Sequence, residues 1–186
     1  MNIGILAVQG AFAEQEDILK KLGVPYTEIR CADDADQPFD GVILPGGEST
    51  VQGKLVEELG IFASLKQRIS QGMPVLGTCA GMILLAQYIE NQRKTYFGTM
   101  PITVRRNAYG RQLGSFHTEA FFQGIGRIPM TFIRAPFVSQ ANDAVQVLAT
   151  VDDRIVAVRY QNQFALAFHP ELDDEVQIHQ LFLQCC

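Results

Sequence analysis

Three apolar runs that end at glycine-containing turns restrict this chain more than anything else in it. "IGILAV" (3–8), "GVILPGG" (41–47) and "PVLGT" (74–78) show no polar residue at alternate positions. A strand wetted on one face alternates; a strand covered by helices on both faces does not. Helical stretches fall between and after these runs. Residues 12–22 read as a helix stopped by Gly23. Residues 50–71 read as one or two helices with Gly53 and Gly60 as weak points, and 80–90 as another. "PYTEIR" (25–30) reads as a further strand. Strands alternating with helices predict a parallel sheet with helices on both faces.

Beyond residue 98 the texture changes. "ITVRR", "TFIRAP", "AVQVLATV", "RIVAVRY" and "FALAFHP" are short strand-like runs, "VDDR" (151–154) is a hairpin turn, and 172–184 reads as a closing helix. No linker separates the two halves. The expected fold is therefore α/β, one domain over 1–186, with a mostly parallel central sheet flanked by helices and an antiparallel second half. With 186 residues, 47% of them hydrophobic, the chain is long enough for a core of its own. The net charge of −5 argues against a broad basic surface, so neither nucleic acid nor an anionic membrane is an expected partner. No apolar run approaches the roughly 18 residues of a membrane span, and "MNIGILAVQG" lacks the basic start of a secretory signal. The four cysteines show no CxxC spacing, which fits a reduced, cytoplasmic protein.

The run at 74–78 leads into Gly77-Thr78-Cys79-Ala80-Gly81. A cysteine between glycines, where a strand turns into a helix, is either a small buried thiol or a nucleophile on a strained turn. The spacing follows the logic of the G-x-S-x-G elbow, in which small neighbours let a reactive side chain stand exposed at a strand end. A helix N-terminus beside such a sulfur presents N–H groups that favour a thiolate. A nucleophile needs a base, and a base an orienting group. His169 follows the apolar run "FALAF", and Pro170 places Glu171 two residues on, where its carboxylate can hold the imidazole tautomer. His117 alternates with apolar residues and reads as a sheet-surface side chain; His179 lies in a helix of mixed polarity and reads as exposed. "LPGGEST" (44–50) also ends a strand. Its two glycines let backbone N–H groups approach a ligand, as an oxyanion site requires. No lysine follows as in a phosphate-binding loop.

Taken in order, "LPGGEST", "GTCAG" and "FHPEL" resemble the class I, triad-type glutamine amidotransferases, whose fold is flavodoxin-like. "ILAVQGAFAE", "PGGESTVQGKL", "TVRRNAYGRQLGSF", "FIRAP" and "AFHPELDDE" make the chain similar, along nearly its whole length, to the glutaminase subunits of pyridoxal 5'-phosphate synthases. The resemblance implies that Cys79 attacks the glutamine carboxamide, that His169 is the base that later protonates ammonia, and that Glu171 orients it. It implies that Gly46, Gly47 and Glu48 line the glutamine site, with the Gly47 and Ala80 N–H groups as oxyanion donors. It places Arg105, Ile133 and Arg134 among the substrate-binding positions. A guanidinium suits the α-carboxylate, but "VRR" does not say which arginine makes that contact.

The implied partners are L-glutamine and a (β/α)₈ synthase subunit, in a large hetero-oligomer. That subunit receives ammonia and builds pyridoxal 5'-phosphate from sugar phosphates. No metal or organic cofactor is implied for this chain. The adjacent glycines at 46 and 47 form a peptide that can turn over cheaply, so partner binding is expected to complete the oxyanion site. Two other readings stand beside this one: a glutaminase serving a histidine or purine synthase, and a non-catalytic regulatory module on the same fold. The intact Cys79, His169 and Glu171 argue against the second, and "RRNAYGRQ" argues against the first. Val51 stands where the family pattern has threonine, Ala167 where a hydroxyl residue often precedes "FHPE", and the stretch from Arg30 to Gly41 is short.

Overall fold

The computed structural model of the protein describes residues 1–106, 114–173 and 175–186. Most of the "RRNAYGRQ" stretch therefore lies outside the described residues. The first half runs β1 (Ile3–Leu6), α1 (Phe12–Lys21), β2 (Tyr26–Ile29), α2 (Ala32–Ala35), β3 (Gly41–Leu44), α3 (Ser49–Glu58), α4 (Phe62–Ser70), β4 (Val75–Thr78) and α5 (Ala80–Leu85). The second half runs β5 (Ala86–Ile89), β6 (Met100–Arg105), β7 (Ser115–Phe122), β8 (Gly126–Ile133), β9 (Phe137–Ala141), β10 (Gln146–Val151), β11 (Arg154–Tyr160) and β12 (Gln163–Leu166). A 3-10 turn (Pro170–Leu172) and α6 (Gln177–Leu183) close the chain.

A ten-stranded sheet joins the halves in the order β2-β1-β3-β4-β12-β11-β9-β6-β5, with β10 paired to β11. The expected change from parallel to antiparallel falls at β12, which lies parallel to β4 and antiparallel to β11. The strands β1, β3, β4 and β12 are buried at every residue, as their largely apolar sequences require; the polar Gln163 and Thr78 are buried with their hydrogen bonds met. The hairpin at "VDDR" has positive φ at both Asp152 and Asp153, the twist that suits a two-residue turn between β10 and β11.

Two expectations need correction. The helix foreseen over 80–90 stops at Leu85, and 86–89 is the edge strand β5, paired parallel to β6. There, tertiary pairing and the strand-forming Tyr88 and Ile89 override helical continuity. The closing helix is shorter than 172–184 because the Pro170–Leu172 turn precedes it. The longest hairpin of the described chain, β7–β8, was legible only in part, as "TFIRAP". Its Phe132 stacks on Phe116 and tilts against Phe168, next to His169 in sequence. Residues 50–71 form two helices, α3 and α4, separated around Gly60 at φ +73°. In the short connection before β3, Arg68 donates to the carbonyls of Ala35, Gln37 and Phe39, sealing it against α4. Ala167, in place of a hydroxyl residue, is fully buried, so no side-chain hydrogen bond has to be met there.

Candidate active site

Neighbouring strands β3, β4 and β12 end on the same side of the sheet because they run parallel, with Leu44 beside Gly77 and Thr78 beside Leu166. Each releases one of the motifs singled out from sequence: Gly46-Gly47-Glu48 after β3, Cys79 after β4, His169 after β12. This is where an open α/β sheet places its reactive groups.

Cys79 takes φ +48° and ψ −96°, a conformation that costs a non-glycine residue about 1–3 kcal/mol. The turn is held by the Cys79 N–H, which donates to the Leu166 carbonyl at 2.7 Å. Gly81 allows α5 to sit on β3: a Cβ there would come within 2.1 Å of the Leu44 carbonyl oxygen. The sulfur is nearly buried and lies 3.8 Å from the Ile133 carbonyl oxygen.

His169 is buried, its N–H donating to the Thr131 carbonyl at 2.9 Å. The 3-10 turn begun by Pro170 carries Glu171 back toward the ring, and Nδ1 meets Glu171 Oε1 at 2.8 Å. Burial opposes the charged imidazole, but hydrogen bonds with the Cys79 and Glu171 side chains, together with their negative charge, outweigh it and raise the His169 pKa to about 10. The site thus stores a proton beside the sulfur, held by a fully buried carboxylate.

Gly46 lies against the Cε1 edge of that ring. A Cβ at 46 would be 2.2 Å from His169 Cε1, so only glycine fits. Its N–H is occupied by Thr78 Oγ1 at 3.0 Å and its carbonyl by the Ala11 N–H at 2.9 Å. The Glu48 N–H is occupied by Gln9 Oε1 at 2.8 Å. The Gly47 N–H has no partner among the described residues, and that of Ala80, first in α5, has no acceptor within its helix. These are the two N–H groups that the sequence resemblance proposes as oxyanion donors.

The two arginines of "VRR" part company. Arg105 donates to Glu90 at 2.6 Å at the edge of the sheet and lies over the Phe137 ring. Arg106 donates to Glu48 Oε1 at 2.8 Å and to Thr50 Oγ1 at 3.2 Å, at the mouth of the site. The guanidinium beside the Gly46–Glu48 loop is that of Arg106, while Arg105, named from the resemblance, lies on Glu90. The reason is strand parity. Met100, Ile102 and Val104 are buried and Arg105 is exposed, so the next residue returns toward the inner face. That alternation was readable in "ITVRR".

Ile133 is 38% exposed at the end of β8, where the side chain is open to solvent while its carbonyl faces the sulfur. Arg134 follows at φ +43°, exposed, with its N–H on the Gly114 carbonyl and no ion-pair partner among the described residues. His117, as expected, stands on the sheet surface, 3.0 Å from Thr131 Oγ1. His179 does not: it is fully buried in α6 against Gln15, which sequence polarity could not reveal. Among the described residues no group of three or more His, Cys, Asp or Glu side chains is placed to hold a metal ion.

A cysteine on a strained strand-to-helix turn, with a histidine–glutamate pair beside it, is the arrangement of a triad amidotransferase. The model of the SNO glutamine amidotransferase family matches residues 5–186, and the chain belongs to that family. It is 56% identical over 183 residues to the pyridoxal 5'-phosphate synthase subunit PdxT of Desulfitobacterium hafniense (strain DSM 10664 / DCB-2), covering 98% of this chain and 92% of the relative. To the subunit of the same name from Streptococcus pneumoniae (strain CGSP14) it is 51% identical over 189 residues, covering 100% and 97%. A crystal structure described as a glutamine amidotransferase superposes with a TM-score of 0.93 at 38% identity, covering 98% of this chain and 97% of the other. The structure of PurLQS from Thermotoga maritima shares the fold alone, with a TM-score of 0.70 at 15% identity over 99% of this chain and 95% of that one.

Proposed function

We propose that the chain is the glutaminase of a pyridoxal 5'-phosphate synthase. It hydrolyses L-glutamine to L-glutamate and ammonia and passes the ammonia to a (β/α)₈ synthase subunit in a hetero-oligomer. The observation that carries this reading is the convergence of Cys79, His169 and Glu171 at the ends of adjacent parallel strands, with the His169–Glu171 contact at 2.8 Å. The names of relatives at 51–56% identity support the choice of synthase.

The chemistry follows from where the proton sits. Cys79 Sγ attacks the carboxamide carbon, and the carbonyl π pair moves onto oxygen, facing the Gly47 and Ala80 N–H groups. As the tetrahedral adduct collapses, His169 gives its proton to nitrogen and the C–N bond breaks, releasing ammonia. Water then attacks the thioester carbon while His169 accepts its proton. The C–S bond breaks, glutamate leaves, and the proton remains shared by His169 and Cys79. Glu171 holds Nδ1–H throughout, which keeps Nε2 aimed at the reaction.

The zwitterionic end of glutamine matches a pair already opposed at the mouth. Its α-carboxylate suits the guanidinium of Arg106 and its ammonium the Glu48 carboxylate, so substrate would exchange for the Arg106–Glu48 ion pair. Ile133 and Arg134 would border the same end. A cytoplasmic location belongs to this reading and is supported by the four unpaired cysteines; no helix among the described residues is long and apolar enough to cross a membrane.

Ammonia and glutamate release from glutamine, measured with the isolated chain and with the synthase subunit added, tests the proposal. Hydrolysis that depends on Cys79 and rises about 10²–10³-fold on adding the partner, the size of one oxyanion donor gained, supports it. Equal rates with and without the partner at saturating glutamine remove the partner-gating part, and turnover by Cys79→Ala removes the mechanism. Arg106→Ala should raise KM for glutamine more than Arg105→Ala does.

A further inference from the structure

One chain of buried polar groups plays no part in the chemistry set out above. His179 on α6, Gln15 on α1 and Thr78 at the end of β4 are each 0% exposed. His179 Nε2 lies 2.8 Å from Gln15 Oε1, Gln15 Nε2 lies 3.5 Å from Thr78 Oγ1, and Thr78 Oγ1 accepts the Gly46 N–H at 3.0 Å. The Gln15 amide nitrogen donates to the Thr78 hydroxyl oxygen, which leaves its carbonyl oxygen to accept from His179 Nε2–H. Burial keeps that ring neutral, with a pKa lowered to about 4. His179 Nδ1 has no hydrogen-bond partner among the described residues. An apolar pair of similar volume would fill the space between α1 and α6 without leaving that nitrogen desolvated. The polar pair therefore calls for a positional explanation, and its far end supplies one.

Thr78 precedes Cys79. Its hydroxyl holds Gly46, Gly46 lies against the His169 ring, and Gly47 is next in the loop. We propose that Thr78 is a positioning residue for the glutaminase reaction: its hydroxyl, backed by Gln15 and His179, fixes Gly46 against the His169 imidazole. One oxygen atom thus ties the end of β3 to the end of β4, and Gly46 in turn rests against His169 beyond β12. This rests on the roles given above to Cys79, His169 and Gly47.

The test uses the full-length chain, with the synthase subunit present. Thr78→Val keeps the shape of the side chain and removes the hydroxyl. It should lower kcat about 10- to 100-fold, the range for a buried N–H left without its acceptor, while KM for glutamine stays within about twofold. Thr78→Ser restores the oxygen and should recover kcat to within about threefold of wild type, a rescue that loss of packing alone would not give. Gln15→Met keeps length and volume and should lower kcat about three- to tenfold at unchanged KM. Thermal melts of each variant establish that the measured enzyme is folded. Wild-type kcat in Thr78→Val, a Ser variant as impaired as the Val variant, or a rise in KM alone would overturn the proposal. If Thr78→Val does not fold, wild-type kcat in Gln15→Met does so. Failure of the underlying function would appear differently, as an inactive wild-type complex or an active Cys79→Ala.

Discussion

The turn after β12 and the closing helix α6 each bury a histidine, and burial has opposite outcomes in the two places. His169 is raised to about 10, whereas His179 is lowered to about 4. Desolvation opposes the charged ring in both. The difference lies in what each ring faces among the described residues: His169 meets the carboxylate of Glu171 and the side chain of Cys79, His179 only the neutral amide of Gln15. Burial alone makes a histidine an inert hydrogen-bond donor. Burial with a negative partner makes it a proton store, and that is the property amide hydrolysis uses.

The largest expected effect removes the reason for storing a proton at all. Cys79→Ala should reduce glutamine hydrolysis by about 10⁴–10⁶-fold, as loss of the nucleophile does in coupled triads. The side chain is small, and circular dichroism should show an unchanged fold. Glu171→Gln comes next and tests the comparison itself, because it gives His169 the same kind of partner that His179 has. The pKa of His169 should then fall from about 10 toward the acid side, read from its ring Cε1–H resonance, with a loss in kcat of about 10²–10⁴-fold. An unmoved resonance would break the argument that the carboxylate sets the titration. A double variant His169→Asn/Glu171→Gln should lose less than the product of its single losses, since an orienting group has nothing left to orient.

Gln15→Glu is the converse change and should raise the His179 pKa from about 4, measured the same way. The smallest expected effect is on stability. The His169 pKa lies above its unfolded value of 6.5, so its contribution is complete below pH 6.5 and is lost as pH rises through about 10. The His179 pKa lies below 6.5, so the folded state binds fewer protons than the unfolded one, and stability is lost as pH falls from 6.5 through about 4. Urea unfolding across pH should therefore show an acid limb that His179→Leu flattens, by on the order of 1–3 kcal/mol at pH 4. An acid limb unchanged in that variant would place the proton uptake elsewhere.

What could be read directly from sequence was local. Unbroken apolar runs identify buried parallel strands because both faces of such strands are covered. Glycine at 46, 47, 77 and 81 marks places where backbone must come close, and a cysteine or histidine just past a strand end is already at the side of the sheet where chemistry occurs. The candidate nucleophile, base and orienting group, and the candidate oxyanion donors, were legible for that reason. The tertiary structure decided everything that depends on neighbours far apart in the chain. Only the insertion of β12 beside β4 brings His169 to Cys79. Pairing with β6 turned an apparent helix into β5, and the parity of β6 sent Arg106 rather than Arg105 to the Glu48 loop. The packing of α6 on α1 buried a histidine whose own segment reads as a mixed-polarity surface helix. Periodicity along a segment reports which faces are covered, but not which segment covers them. That choice is made by long-range pairing and packing, and here it sets both the proton chemistry and the hydrogen bonds that hold it in place.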